Sequence, residues 1–237
     1  MNMQTTRRLA AASMASAAVL AIAGFTALGS IFDYPKILKA PAAEILLAFR
    51  ENEASVTGWF LVLMISAALL APVGVFLGRI AGSTRGRWIT ALGIAAAAVQ
   101  VVGLSRWVLL IPSVSDDATV PALSADAHHT FGQLHFWLGT MVGETIGYTL
   151  TAAFTVLVAI TFSGSIIPRW LGYLGYVSAA LIATGVTIPL GLSGASITNF
   201  GGYVAWCVWL IAMAVVLWRF DRTDLTISTS ATQRAVR

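Results

Sequence analysis

Two charged side chains stand where the surrounding sequence is apolar. Arg106 interrupts a run that starts at Trp88 and continues to Pro112, and Glu144 lies in the stretch 132–162, which is otherwise broken only by His135. Hydrocarbon does not solvate a charge, so an ionisable group inside a membrane-length run points to a function or to a buried partner. Arg106 precedes Pro112 by six residues, and Glu144 follows Leu138 by six. At 1.5 Å rise per residue both would sit roughly 9 Å below the same membrane face. The two runs are consecutive and antiparallel, so an Arg106–Glu144 pair is expected. As a purely structural pair it would cost about 3–5 kcal/mol to break. As the floor of a polar site it would bind a ligand. A third option is that Arg106 snorkels to the headgroups.

The helix that carries Glu144 holds more chemistry. Thr140, Glu144, Tyr148, Thr151 and Thr155 recur at three- and four-residue steps, which puts them on one helical face. Lipid would penalise that face, so it is expected to point inward. Gly139, Gly143 and Gly147 form a four-residue small-residue repeat that admits a second helix backbone at close range. His128, His129 and His135, with Asp126, could approach a metal at the membrane surface, but their spacing matches no established ligand pattern and no metal is assigned. His135 and Glu144 are nine apart, on opposite faces of an α-helix, which argues against a direct acid–base pair. The candidate ligand-binding or ion-pair residues are therefore Arg106, Glu144, Tyr148, Thr140 and His135. Gln100, Tyr173, Tyr176, Thr184, Thr187 and Tyr203 add polar groups in other runs. Phosphate-loop, HExxH and Gly-x-Ser-x-Gly signatures do not occur, so no catalytic residue and no cofactor is assigned.

These residues need elements to hold them, and the composition restricts what those can be. Of 237 residues, 58% are hydrophobic and 10% charged, against about 25% charged in soluble domains. Lipid must cover that much apolar surface, and at about 20 residues per crossing the chain has room for six helices. Charge-free runs place them near 9–31, 56–78, 88–111, 134–162, 170–191 and 200–219, the last two separated by Pro189, Gly191, Gly194 and Asn199. Residues 1–222 read as one all-α transmembrane bundle and 223–237, rich in Ser, Thr and Arg, as a disordered tail. The first run is longer than a signal-peptide core and is expected to be a retained helix. Pro72 and Pro189 are expected to kink their helices.

Orientation follows from the cations. One side receives Arg7, Arg8, Arg79, Arg85, Arg87, Arg169, Arg219, Arg222, Arg234 and Arg237, and the other Lys36, Lys39 and Arg50. That bias places both termini in the cytoplasm of a bacterial cell, with a multi-pass chain in its cytoplasmic membrane. It also accounts for the net charge of +4 without nucleic acid. Trp59, Trp88, Trp107, Trp137, Trp170 and Trp218 fall near run ends and read as interfacial anchors. Cys207, the single cysteine, forms no intramolecular disulfide. Between the first two runs, Leu38, Ala42, Ile45, Leu46 and Phe49 recur at helical spacing after Pro41. They predict a short amphipathic helix, either lying on the outer membrane surface or covering an outward cavity.

The segment FDYPKILKAPAAEILLAFRE, with the later FWLGTMVGETIGY and PRWLGYLGYVSA, resembles a bacterial membrane-protein family of unknown function. The resemblance covers about residues 10–218 and implies a six-helix architecture, with Glu144 in a characteristic segment. It brings no activity, substrate or cofactor. Three functions fit these residues. The first is a binding or transport module for a small or lipidic ligand entering from outside. The second is an intramembrane enzyme with Glu144 as acid or base, assisted by Tyr148 or His135. The third is a non-catalytic partner of another membrane protein, held by the glycine face.

Overall fold

A computed structural model of the chain describes residues 2–82 and 84–219, and the expected irregular tail at 223–237 lies outside them. Six helices among these residues are long and apolar enough to cross a membrane: Met3–Phe32, Glu53–Ala81, Thr84–Asp117, Ser124–Phe162, Arg169–Leu190 and Ala195–Arg219. They are called spans one to six below. No strand occurs among the described residues, which contain a single isolated bridge between Ser163 and Ile167. The chain is thus an integral membrane protein of helical-bundle type.

Consecutive spans run antiparallel and side by side, joined by short turns except between spans one and two. Each span packs on its sequence neighbours, and span six returns to pack on span one, so the six close into a ring. An even number of crossings leaves both ends of the described chain at one end of the ring. The faces turned away from the ring expose Val19, Ile65, Val102, Ile160, Val177 and Val208. This is the outward apolar surface that lipid covers in a membrane bundle.

Two apolar clusters fill the inside. The one near the termini is built around Met14, Leu77, Ile89, Phe154, Trp209 and Met213. The other, at the far end, is aromatic: Phe32, Phe49, Phe60, Trp107 and Phe131 meet there. Trp107 is its centre. Its ring lies flat on Phe60 at 4.7 Å and contacts the edges or tilted faces of the other three. Trp107 is fully buried, not an interfacial anchor as its position near a run end suggested. Trp88, Trp137, Trp170 and Trp218 do have exposed rings. The difference is rotational: Trp107 is on the inward face of span three, next to Arg106.

The amphipathic helix is Ala42–Glu51. Its apolar face, Ile45, Leu46 and Phe49, is buried in the aromatic cluster, so it covers the bundle end and keeps that face out of lipid. The whole 33–52 segment behaves as a strap across this end. Lys39 Nζ lies 3.3 Å from Ser196 Oγ at the start of span six, and Arg50 pairs with Asp116 of span three at 3.1 Å. The Tyr34–Pro35 peptide bond in the strap is cis.

Two helices depart from regular α geometry. Span two is interrupted at Leu69, three residues before Pro72, whose ring cannot accommodate a regular preceding turn. Span five tightens into a 3-10 turn over Thr184–Leu190, which contains Pro189. The largest departure is in span four, where His135–Ile146 is π-helical.

Candidate functional site

The glycine repeat of span four fixes the site's geometry. Span three runs against it in register, with Arg106 at Gly139, Gly103 at Gly143 and Gln100 at Gly147. A Cβ built on Gly103 would stand 2.5 Å from the Cα of Gly143, so the two backbones touch and Gly103 admits no side chain. The expected close approach of a second helix is therefore made within the chain, by span three.

Bare Gly139 leaves the space that the Arg106 guanidinium fills. A Cβ there would meet Arg106 Nη2 at 2.8 Å. Arg106 is 4% exposed. It folds back along its own helix, donates from Nη1 to the Gly103 carbonyl, and holds its Cζ 5.3 Å from the Trp107 ring centroid. It therefore does not snorkel. Nor does it make the expected direct ion pair with Glu144: among the described residues the ion pairs described are Lys36–Asp33 and Arg50–Asp116. The Gly103 carbonyl and the Trp107 face take the guanidinium in place of the carboxylate. Arg106 and Glu144 still interact electrostatically across the gap.

The π-helix changes which residues share a face. Hydrogen bonds from i to i+5 widen the turn to about 4.4 residues, against 3.6 in an α-helix. The Thr145 hydroxyl donating to the Thr140 carbonyl at 2.8 Å follows the same five-residue step. Nine residues then make close to two full turns, so the α-helical argument for opposite faces of His135 and Glu144 does not carry over to this segment. Both side chains interact with Arg106. The His135 ring stacks on Phe131 at 5.7 Å, and Phe131 lies 6.1 Å from Trp107. Segments of π-helix are rare and recur at functional sites.

The polar stripe divides in two. Its lower part is consumed by packing: Gln100 Nε2 donates to Thr151 Oγ1 at 2.7 Å, and Trp206 Nε1 donates to Thr155 Oγ1 at 2.8 Å. Both threonines are fully buried and also donate to carbonyls one turn back. Interhelical hydrogen bonds of this kind contribute about 0.6 kcal/mol each in membranes. They join spans three, four and six and leave nothing for a ligand.

The upper part is different. Half-buried Glu144 has charge interactions with Arg106, Tyr34, Tyr148 and Tyr203. Tyr148 packs on Tyr203 with ring centroids 5.6 Å apart and lies against Gly185 of span five. Three buried polar atoms at this level have no hydrogen-bond partner among the described residues: Arg106 Nε, Trp107 Nε1 and His135 Nδ1. An unmade bond at a buried polar group costs about 1–3 kcal/mol.

Of the five sequence candidates, Glu144, Tyr148 and His135 each interact electrostatically with Arg106. Thr140 is half-buried on the same π-helical segment, and its carbonyl is the group with an assigned role. His128 and His129 do not join the cluster, and no group of three metal-ligating side chains forms among the described residues. Two surface grooves, of about 370 and 520 Å³, lie at the opposite end, between spans one and six and beside the turn joining spans two and three. Neither is lined by an acidic side chain.

Sequence reading missed Tyr34 and Asn199. Asn199, which read as turn punctuation, is buried and donates to the Ile182 carbonyl at 2.8 Å, tying span six to span five. Tyr34 is the strap's contribution. It stacks on Phe25 and meets Phe60 edge-on at 5.3 Å, and burial, then the Glu144 carboxylate, pushes its phenol from 10.0 up to about 12, partly opposed by Arg106. The folded chain thus holds this proton more tightly than the unfolded chain does. Any stability it contributes is present below pH 10 and is lost as pH rises toward 12. A tyrosinate absorbance titration of wild type minus Tyr34→Phe should show one phenol ionising near pH 12. Ionisation near pH 10 would place Tyr34 in solvent.

Compared with known proteins, residues 9–214 match the family model described as "Domain of unknown function (DUF4386)". No curated protein and no solved structure matches.

Proposed function

The chain belongs to the DUF4386 family, and from that premise we propose that it is a binding or transport module for a small or lipidic ligand, whose polar part sits among Arg106, Glu144, Tyr148 and Tyr34. The observation that carries this reading is a buried guanidinium and a half-buried carboxylate that interact without forming an ion pair. Buried charges are normally paired or fully hydrogen-bonded, and Arg106 Nε has no hydrogen-bond partner among the described residues. The cation bias puts the termini in the cytoplasm of a bacterial membrane, so the strapped end faces outward and the ligand enters there.

The test is co-purification. Wild type, Arg106→Gln and Glu144→Gln are purified in mild detergent, and their polar and lipid extracts are compared by mass spectrometry. At least one species should accompany wild type and fall about tenfold or more in both variants, the cost of losing a charge-assisted hydrogen bond. Identical extracts from all three would count against the reading.

One observation favours a second reading. His135 and Glu144 share a π-helical segment, whose wider turn removes the α-helical argument against an acid–base couple between them. An intramembrane enzyme would turn over a component of membrane extracts and lose that activity in Glu144→Gln with folding intact. A binding module would show no turnover. The partner-subunit reading loses its support, because span three already occupies the glycine face.

A further inference from the structure

We infer that the ligand is a zwitterion, bound with its oxyanion toward Arg106 and its ammonium toward Glu144. The inference rests on the reading above and names the chemical class that site takes.

The argument starts from charge balance. Arg106, which packs on Gly139, and Glu144, five residues further along span four, are one cation and one anion, neutral in sum. In a medium that solvates charge poorly, a purely anionic ligand would satisfy Arg106 and repel Glu144, and a purely cationic ligand would do the reverse. Each leaves one uncompensated charge, the costly case. A dipolar ligand laid antiparallel to the pair compensates both and leaves the site neutral.

The neighbours of each charge fit the matching half. Around Arg106 are unpartnered nitrogens: its own Nε, the Nε1 of Trp107 and the Nδ1 of His135. Guanidinium and indole N–H groups can only donate, and an imidazole nitrogen can donate or accept as the ligand demands. That set suits an oxyanion. One turn along span four from Glu144, Tyr148 packs on Tyr203 with ring centroids 5.6 Å apart. Aromatic faces stabilise an ammonium through the ring quadrupole. The Gly103 carbonyl takes one arm of the guanidinium and leaves Nε without a partner.

Two sources offer this chemistry, a zwitterionic lipid headgroup and its free, chainless counterpart, and the test separates them. Thermal unfolding of the full-length chain in a non-ionic detergent is followed with three probes: dihexanoylphosphatidylethanolamine, glycerophosphoethanolamine and dihexanoylphosphatidylglycerol. The zwitterionic probe should raise Tm saturably, on the order of 5 °C, and the anionic phosphatidylglycerol should not. Stabilisation by the lipid alone identifies a headgroup whose chains contribute. Stabilisation by both ethanolamine probes identifies a site that needs the head only. The shift should vanish in both Arg106→Gln and Glu144→Gln. If Arg106→Gln does not fold, wild type with the anionic probe and Glu144→Gln carry the test. Equal stabilisation by phosphatidylglycerol, retained in Glu144→Gln, would overturn the zwitterion and leave a ligand site of anionic preference standing. No response to either ethanolamine probe, beside an Arg106-dependent co-purifying species, would overturn it in the same way. No response and no such species would overturn both this inference and the reading it rests on.

Discussion

Trp107→Ala is expected to cost the bundle about 3–5 kcal/mol, the range for truncating a fully buried large aromatic. Trp107 is 0% exposed and touches four phenylalanines, from span one, the strap helix, span two and span four. The cavity left behind has little means of closing, because the strap that caps it is tied at both ends, to Ser196 and to Asp116. Equilibrium unfolding in mixed micelles gives the number. Trp88→Ala is the control: its ring is 62% exposed, and it should change stability by no more than a few tenths of a kcal/mol. If the two variants lose the same, Trp107 is an interfacial anchor after all.

Gly103→Val is the second large effect, about 3 kcal/mol, at the upper end of overpacking. The obstacle is backbone: the Gly143 Cα at 2.5 Å and the Leu138 carbonyl at 3.0 Å from a built Cβ, neither of which can change rotamer. The valine must therefore push spans three and four apart and carry Arg106 away from Gly139. Gly58→Ala, with nothing within 4 Å of its built Cβ, should gain about 0.5–1 kcal/mol from helix propensity. A Gly103 variant as stable as wild type would mean that the two spans do not meet at this register.

The six crossings were legible because lipid imposes a one-dimensional rule, that each span be long and free of charge, and runs such as Ala54–Gly78 obey it. Arg106 and Glu144 were legible as exceptions to the same rule. Their arrangement was not. It depends on Gly139 leaving room for the guanidinium and on the Gly103 carbonyl receiving it, and both are properties of the span three and span four register. Trp107 shows the limit of positional reading, since depth along a helix can be counted from sequence but rotation about its axis is set by the neighbours. The π-helix at His135–Ile146 was invisible for a related reason. Nothing in the residue types there excludes an α-helix, and the extra residue per turn accompanies the tight packing of Gly143 on Gly103. Tyr34 reaches the site because the strap folds back over the bundle, a long-range event that no local pattern encodes.

On the proposed reading, Arg106 and Glu144 are held apart for a ligand and do not stabilise the fold as a pair. Glu144→Gln tests it without any ligand being known. Removing an unpaired, half-buried carboxylate relieves desolvation and breaks no ion pair. Equilibrium unfolding of the ligand-stripped variant should therefore differ from ligand-stripped wild type by less than about 1 kcal/mol, with either sign, as for a substitution that orphans no partner. A loss of about 3–5 kcal/mol, the cost of breaking a buried ion pair, would contradict the account and make Glu144 a structural residue.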